Sequence, residues 1–207
     1  MRVDSLRSLD SEHIEDTLEY IKVTEQDQFD YSNITECNHC YFEKATLTDL
    51  HFQNISCYDV VFKNCDFSNV VWNTDAEFAG PVLHQVTFDN CKMVGTDFGM
   101  TAFKKVTFQN CVGRYVNFSF TTMKEVKLLN CSFQNMILQD STCKKLLLQE
   151  NELLELELLH TSLKDVNMSS NQIDGLKTDL KSIQGMIVNP EQALHLSKLL
   201  GIVVKDL

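Results

Sequence analysis

The sequence predicts an all-β solenoid, and three observations support that prediction. Every fifth residue from Phe88 to Ile183 is apolar except Gly113 and Thr178, and small or β-branched residues recur two positions before these. A period of five matches neither the 3.6 of a helix nor the 2 of a strand. The dipeptide Asn-Cys also recurs at every fourth pentapeptide, at Asn90-Cys91, Asn110-Cys111 and Asn130-Cys131. We therefore predict a chain that turns a corner every five residues and closes a quadrilateral coil every four repeats.

The predicted coils span residues 31–188. An earlier stretch continues the pattern in another register, through Phe42, Leu47, Phe52, Cys57, Phe62, Phe67 and Trp72. The large central residue and the small one before it point inward, and the other three positions face solvent. A single coil encloses no core of its own, so it is stabilised by the coils stacked on either side. At about 4.8 Å per coil, the coils from Phe42 onward make a rod of roughly 33 Å.

An insertion interrupts the pattern between Trp72 and Phe88. Asn64-Cys65 precedes Asn90-Cys91 by more than four pentapeptides, and the interval holds one coil and six extra residues. We predict a loop over about residues 73–83 that projects from the rod. Its candidate partner-binding residues are Asp75, Glu77, Phe78, Gly80 and Pro81. The alternative is a single-residue bulge that keeps Phe78 and Leu83 inside the coil.

Both ends of a solenoid need a cap. At the C-terminal end, Asn189-Pro190-Glu191 has the pattern of an N-cap, a first-turn proline and a first-turn acid, and Gly201 is placed to end the helix. We predict a short capping helix and a dimerisation segment over residues 189–207. The apolar residues assigned to the homodimer interface are Leu196, Leu199, Leu200, Ile202, Val203 and Val204. Residues 1–30 are rich in acids and are predicted to form an N-terminal cap or arm.

Composition argues against several classes of function. The 207 residues include 18 Lys and Arg against 29 Asp and Glu, and the net charge of −11 predicts no direct nucleic-acid binding. The absence of an apolar signal segment or a membrane-length apolar run predicts a cytoplasmic protein with reduced thiols and no membrane partner. The sequence has no phosphate-binding glycine loop, GxSxG or HExxH motif, so we expect neither an enzyme nor a cofactor.

The cysteines have two interpretations. Cys37-Asn-His-Cys40 has a spacing that zinc sites use, but no second pair of ligands follows it. Cys40 falls in the small inward register, which Cys65, Cys91, Cys111 and Cys131 also occupy. Because buried free cysteine behaves as a small apolar residue, we favour core packing over a metal site.

Charged residues separate by face. Lys104, Lys124, Lys144 and Lys164 recur at every fourth pentapeptide, each directly after an inward position. Of the candidate partner-binding acids, one face holds Asp97, Asp140, Glu157 and Asp179, and another holds Glu152, Glu155 and Asp174. The alternative is that these acids bind no partner and only keep the rod soluble. The lysine row is either a solvated stripe or a secondary site for an anionic partner. Tyr115 and Phe120 are outward aromatic residues and therefore candidates for partner contact.

These features together resemble the pentapeptide repeat proteins and, within them, the quinolone-resistance (Qnr) group, especially its Gram-positive members. The more specific matches are Cys65-Asp-Phe-Ser-Asn-Val-Val-Trp72 and the tail Asn189-Pro-Glu-Gln-Ala-Leu-His-Leu-Ser-Lys-Leu-Leu-Gly-Ile-Val-Val204. The resemblance implies a right-handed β-helix that dimerises through its C-terminal end. It also implies binding to DNA gyrase and topoisomerase IV, where an acidic rod that resembles duplex DNA relieves quinolone poisoning.

Two hypotheses for function follow. The first is a non-catalytic protector of type II topoisomerase that acts by competition or displacement, with no chemical step. The second is a solenoid scaffold for another protein partner, without topoisomerase activity.

Overall fold

Short parallel strands stack into four sheets, and each sheet forms one side of a four-sided coil. The structure is a computed structural model that describes residues 7–8, 17–24, 34–51, 55–72 and 80–205. We number the faces I to IV in chain order, after the successive inward residues Leu83, Phe88, Met93 and Phe98. The prediction of an all-β solenoid built from five-residue repeats is confirmed.

Faces I and II carry the most continuous sheets. The strands of face I are β2 (Thr17–Glu19), β4 (Glu36–Asn38), β6 (Ser56–Tyr58), β8 (Val82–His84), β10 (Ala102–Lys104), β13 (Thr122–Lys124) and β17 (Thr142–Lys144). Those of face II are β1 (Arg7–Ser8), β3 (Ile21–Thr24), β5 (Tyr41–Glu43), β7 (Val61–Lys63), β9 (Thr87–Asp89), β11 (Thr107–Gln109), β14 (Lys127–Leu129) and β18 (Leu147–Gln149).

Faces III and IV combine shorter sheets with isolated parallel bridges. Face III contains β12 (Val112–Arg114) and β15 (Ser132–Gln134), and face IV contains β16 (Ile137–Gln139), β19 (Glu157–Leu159) and β20 (Lys177–Thr178). Bridges extend both faces toward the N-terminus, such as Asp66 with Lys92 on face III and Val71 with Asp97 on face IV.

The corner residue explains the recurrent Asn-Cys dipeptide. In most described pentapeptides the last residue has a positive φ, and Asn90, Asn110 and Asn130 have values of 52°, 54° and 52°. Asparagine tolerates this left-handed conformation better than most residues. The asparagine therefore turns the corner from face II to face III, and the cysteine that follows it begins the next face with its side chain inside.

Aromatic rings fill the middle of the rod. On face II, Phe88 stacks between Phe62 and Phe108, with ring centroids 5.2 and 4.8 Å away. On face IV, Phe98 stacks between Trp72 and Phe118, at 5.3 and 5.2 Å. The two columns meet edge to face across the interior, a geometry that aromatic rings favour. Beyond Phe133 the inward positions are mostly leucine.

Gly113 is buried at a central position, where the repeat pattern predicts a large apolar side chain. A Cβ added there would lie 2.7 Å from the carbonyl oxygen of Met93. Since real Cβ atoms do not approach carbonyl oxygens so closely, the close packing of these two coils explains the glycine.

The insertion lies between Trp72 on face IV and Leu83 on face I. Leu83 pairs with Phe103 exactly one coil later, but its earlier partner Cys57 lies one coil and six residues before it. The six extra residues therefore fall between β6 and β8. Pro81 and Leu83 are both buried, and β8 begins at Val82.

The predicted loop boundary at residue 83 is therefore wrong, because the coil has already resumed there. Of the predicted loop residues, Gly80 and Pro81 lie where the chain rejoins the coil. Residues 73–79 lie outside the described residues, and with them the predicted site residues Asp75, Glu77 and Phe78.

The solenoid begins earlier than the predicted boundary at residue 30. Strands β2 and β3 continue the sheets of faces I and II, and Leu18 and Val23 are buried in the same core as the later coils. Residues 17–24 are thus part of the coil rather than a separate cap or arm. The boundary was misplaced because paired strands at this end are separated by less than a full coil. Thr17 pairs with Glu36, an interval one residue shorter than a coil, and β1 pairs with β3 at an interval six residues shorter.

The C-terminal cap is helix α1 (Pro190–Ser197), followed by a 3-10 turn over Lys198–Leu200 and by Gly201 at φ 72°. The Asn189 side chain accepts a hydrogen bond from the Gln192 N–H, and the Gln192 side chain accepts one from the Asn189 N–H. Gln192 is buried, and its amide donates to the carbonyl oxygens of Met168 and Asn171. The helix therefore closes the rod by satisfying the backbone of its last coil, as the prediction of a capping helix requires. No helix in the described part of the chain is long and apolar enough to cross a membrane.

Candidate partner-binding surfaces

The predicted acids lie on faces III and IV, which share a corner. Glu155 is the corner residue that ends a repeat of face III, and Glu157 is the first outward residue of face IV two positions later. Asp174 lies one coil beyond, where its carbonyl oxygen accepts a hydrogen bond from the Glu155 N–H. Together with Glu152 on face III, these residues form one patch near the C-terminal end of the rod, which we call the acidic corner.

The acidic corner is only partly neutralised. Lys177 Nζ lies 3.6 Å from Glu155 Oε2, and His195 Nδ1 lies 3.4 Å from Asp174 Oδ1. Both pairs are largely exposed, and exposed ion pairs contribute only about 0–1 kcal/mol because water and salt screen them. The Glu157 carboxylate has no hydrogen bond or ion pair among the described residues. Glu152 is half-buried, and its Oε2 accepts a hydrogen bond from the Ser132 hydroxyl at 2.6 Å. The corner therefore keeps the carboxylates of Glu155, Glu157 and Asp174 for a partner.

The remaining three predicted acids are engaged within the coil. Asp97 Oδ1 accepts hydrogen bonds from the Gly99 N–H and from the Asn117 amide, at 2.7 and 2.8 Å. Asp140 Oδ1 lies 3.1 Å from His160 Nδ1. These contacts hold the carboxylates of Asp97 and Asp140 against their own chain.

Asp179 orders the last turn before the capping helix. Hydrogen bonds from the Ser182 hydroxyl, at 2.7 Å, and from the His160 N–H, at 2.8 Å, hold the pKa of its carboxyl below the usual range. Its other oxygen accepts from the backbone N–H groups of Lys181 and Ser182. A carboxylate that is occupied in this way is less available to a partner than those of the acidic corner.

A row of lysines runs along face I. Lys104, Lys124 and Lys144 pair in register on adjacent strands, and Lys164 continues the row. All four are exposed, and none has an ion-pair partner within the part of the chain that the structure describes. Partial burial, and then the charges of Lys104 and Lys105, lower the pKa of the neighbouring His84.

Large apolar side chains occupy the corner between faces IV and I. Phe120 is 61% exposed and Met100, one coil before it, is 41% exposed. Gly80 packs against the Met100 carbonyl, where any Cβ would collide. Sequence reasoning identified Phe120 but missed Met100, although their separation by exactly one coil was the available signal. Tyr115, at the corner between faces III and IV, is 57% exposed.

The predicted dimerisation segment presents an apolar surface after the helix. Leu196 is half-buried, and the exposed members are Leu199, Leu200, Ile202, Val203 and Val204. Val203 is the most exposed of these side chains, at 81%. Consecutive large apolar side chains at this exposure are unusual on a monomer and are typical of a surface that another chain covers.

The cysteines lie in the core. Cys91 and Cys111 each direct the thiol at a carbonyl oxygen of the preceding coil, those of Phe62 and Phe88, with sulfur–oxygen distances of 3.4 Å. Cys37 and Cys40 are both buried, whereas His39 between them turns outward and its Nδ1 lies 3.1 Å from Asp59 Oδ2. These three side chains do not converge on one point, and the described residues contain no cluster of potential metal ligands.

Comparisons with known proteins agree with the repeat architecture. Residues 82–158 match the family model for a pentapeptide repeat region. Among solved structures, the chain is similar to a trypsin-treated variant of QnrB1, a plasmid-mediated fluoroquinolone resistance protein, with a TM-score of 0.51 and 17% identity over 96% of this chain and 95% of that chain. It is also similar to HetL, a pentapeptide repeat protein involved in heterocyst differentiation regulation from the cyanobacterium Nostoc sp. strain PCC 7120, with a TM-score of 0.33 and 12% identity over 84% and 90%. No curated protein matches the sequence.

Proposed function

We propose that this pentapeptide repeat protein binds a type II topoisomerase, DNA gyrase or topoisomerase IV, and protects it from quinolones by competing for its DNA-binding surface. The observation that carries the proposal is the acidic corner, where Glu152, Glu155, Glu157 and Asp174 place carboxylates along one edge of the rod. A surface that binds DNA is positively charged, so an acidic edge complements it and speeds the encounter. The likeness of fold to a fluoroquinolone resistance protein is consistent with this role.

The proposed action is binding without a chemical step. The candidate residues are carboxylates spread along an outer edge rather than gathered in a cleft, and catalytic groups usually need a cleft that excludes water. We therefore propose a non-enzymatic protein that works by occupancy and requires no cofactor.

The experiment that tests this function is a supercoiling assay with gyrase, relaxed plasmid and an inhibitory concentration of a quinolone. The protein is titrated from substoichiometric amounts to excess, with a parallel titration that omits the drug. We expect supercoiling to recover at low ratios, and to be inhibited at high ratios in both titrations because excess protein competes with DNA. If a folded sample gives no recovery at any ratio, the topoisomerase proposal fails and the scaffold hypothesis takes its place.

We also propose that two chains associate through the apolar segment after α1, which would double the length of the rod. Deleting residues 199–207 removes Leu199, Leu200 and Val203 but leaves Gln192 and its hydrogen bonds to the last coil in place. We expect the deleted chain to sediment as a folded monomer and the full chain as a dimer at micromolar concentration. A control with Lys205→Ala should stay dimeric, whereas a deleted chain that remains a dimer would exclude this interface.

A further inference from the structure

We propose that face I contains a second docking surface, separate from the acidic corner, that binds an acidic amphipathic helix of a partner protein. The surface, which we call the lysine strip, consists of three parallel columns of outward residues. The columns are the lysines Lys104, Lys124 and Lys144, the small residues Ala102, Thr122 and Thr142, and the apolar corner residues Met100 and Phe120.

The lysine column is costly to the protein without a partner. Like charges directly opposite one another on neighbouring strands destabilise a sheet. In the adjacent column Lys145 Nζ lies 3.3 Å from Glu125 Oε1, so this sheet can accommodate ion pairs. Glu125 follows Lys124 in the chain, yet Lys104, Lys124 and Lys144 have no carboxylate within ion-pair distance among the described residues. A row of unpaired ammonium groups at a fixed spacing is a surface suited to a partner with regularly spaced negative charges.

The apolar column is also unfavourable without a partner. Met100 and Phe120 have φ angles of 62° and 59°, the left-handed conformation that asparagine and glycine adopt most easily. Other corners of this rod use asparagine or glycine, such as Asn90 and Gly95, or long charged residues such as Lys105. Two large exposed side chains on consecutive coils therefore occupy positions where a smaller polar residue would fold more readily.

The dimensions of the strip match an α-helix that lies along the rod. Outward residues two apart on a strand are separated by about 6.6 Å, so Phe120, Thr122 and Lys124 span about 13 Å across the face. That width accommodates a helix, whose diameter with side chains is about 10–12 Å. Charges one turn apart on the partner helix would be spaced by about 5.4 Å, and neighbouring lysines of the strip are spaced by about 4.8 Å. Because lysine side chains are flexible, their ammonium groups can follow the wider spacing over three coils.

The charge of the whole chain favours a helix over nucleic acid as the occupant. A duplex carries phosphates on every side, so its outer phosphates would face a protein of net charge −11. A helix can instead present carboxylates on one stripe and apolar side chains on the next, which matches the order of lysine and apolar columns. Asp140 follows Phe120 at the same corner, which limits the apolar edge to the coils of Met100 and Phe120.

The test is fluorescence anisotropy with a labelled synthetic helix that carries Glu on one stripe and Leu on the adjacent stripe, measured against the full-length protein. We expect saturable binding that weakens as salt is raised from about 50 to about 200 mM, and a loss of about tenfold in affinity in the triple variant K104Q/K124Q/K144Q. The matched control K22Q/K63Q/K127Q removes the same charge from face II, where these lysines form no ion pair among the described residues, and should bind like the parent. Equal loss in both triple variants would overturn the proposal.

A second variant separates binding from folding. Phe120→Asn places a residue that prefers positive φ at the corner, so we expect a melting temperature that is equal or higher and an affinity for the helix that falls several-fold. Unchanged affinity would remove the apolar column from the site. Tighter binding of a short labelled single-stranded DNA, with the same dependence on Lys104, Lys124 and Lys144, would show that the occupant is a nucleic acid and overturn the assignment to a protein helix.

Discussion

The triple variant Glu155→Lys, Glu157→Lys and Asp174→Lys should lose protection of gyrase while it remains folded. The three changes convert the acidic corner into a basic patch that faces a basic surface. Juxtaposed like charges cost several kcal/mol, and even ~3 kcal/mol corresponds to about 100-fold in affinity. In the supercoiling assay, the protein concentration that gives half-maximal recovery should therefore rise by about 100-fold or more.

The choice of these three acids follows from their contacts. The Asp179 carboxylate accepts several backbone hydrogen bonds, and that of Asp97 accepts one from the Gly99 N–H and one from the Asn117 amide. Replacing either acid would disturb the fold, so a loss of binding could not be assigned to charge. Among the described residues, the side chains of Glu155 and Asp174 form only exposed ion pairs, and the Glu157 carboxylate has no partner. Their replacement changes the charge of the surface and leaves the buried core untouched.

The control for this experiment carries the same change in net charge on other faces. Glu19→Lys, Glu36→Lys and Glu43→Lys alter faces I and II, and this variant should protect gyrase at nearly the parental concentration. Comparable melting curves for the two variants would establish that both are folded. If both lose protection equally, net charge rather than the acidic corner governs the effect, and if neither does, the partner does not bind through these acids.

Much of the fold was predictable because the five-residue repeat determines which side chains point inward, whatever their identity. The pattern placed Cys40, Phe88 and Phe98 inside the coil, and all three are buried. The longer interval between the Asn-Cys pairs at positions 64 and 90 revealed the insertion, because both asparagines occupy a corner with positive φ. The pattern did not reveal its boundaries, since Pro81 and Val82 belong to the coil although the Gly-Pro pair resembles a loop.

The N-terminal coils could not be found in the same way. The paired strands there are offset by less than four full pentapeptides, so Leu18 and Val23 do not fall into the register of the later repeats. Their burial becomes visible only when β2 and β3 are placed beside β4 and β5.

The candidate site was predictable only as a set of outward positions. The sequence identifies which acids share a face, but it does not show which of them the coil itself uses. Asp179 and Glu157 both lie on face IV, yet only the Asp179 carboxylate accepts several hydrogen bonds from its own chain. That difference depends on the backbone geometry of the last turn, which departs from the regular repeat.

The substitution with the largest expected effect on stability is Phe98→Ala. Phe98 is fully buried and stacks between Trp72 and Phe118, with centroid distances of 5.3 and 5.2 Å. Removing the ring leaves a cavity in the middle of the aromatic column, which typically costs about 3–5 kcal/mol. For a chain of this size, each kcal/mol lowers the melting temperature by about 2–4 °C, so the fall should be about 6–20 °C.

Phe120→Ala is the matched control, because it makes the same chemical change on a side chain that is 61% exposed. Surface changes usually stay within about 0.5 kcal/mol, so its melting temperature should shift by about 2 °C or less. Similar losses in the two variants would contradict the assignment of Phe98 to the central column. Hydrogen exchange gives a further check, because each coil of a solenoid contacts only its neighbours. Phe98→Ala should reduce protection first in the coils around Trp72 and Phe118, while the leucine-lined coils beyond Phe133 keep theirs.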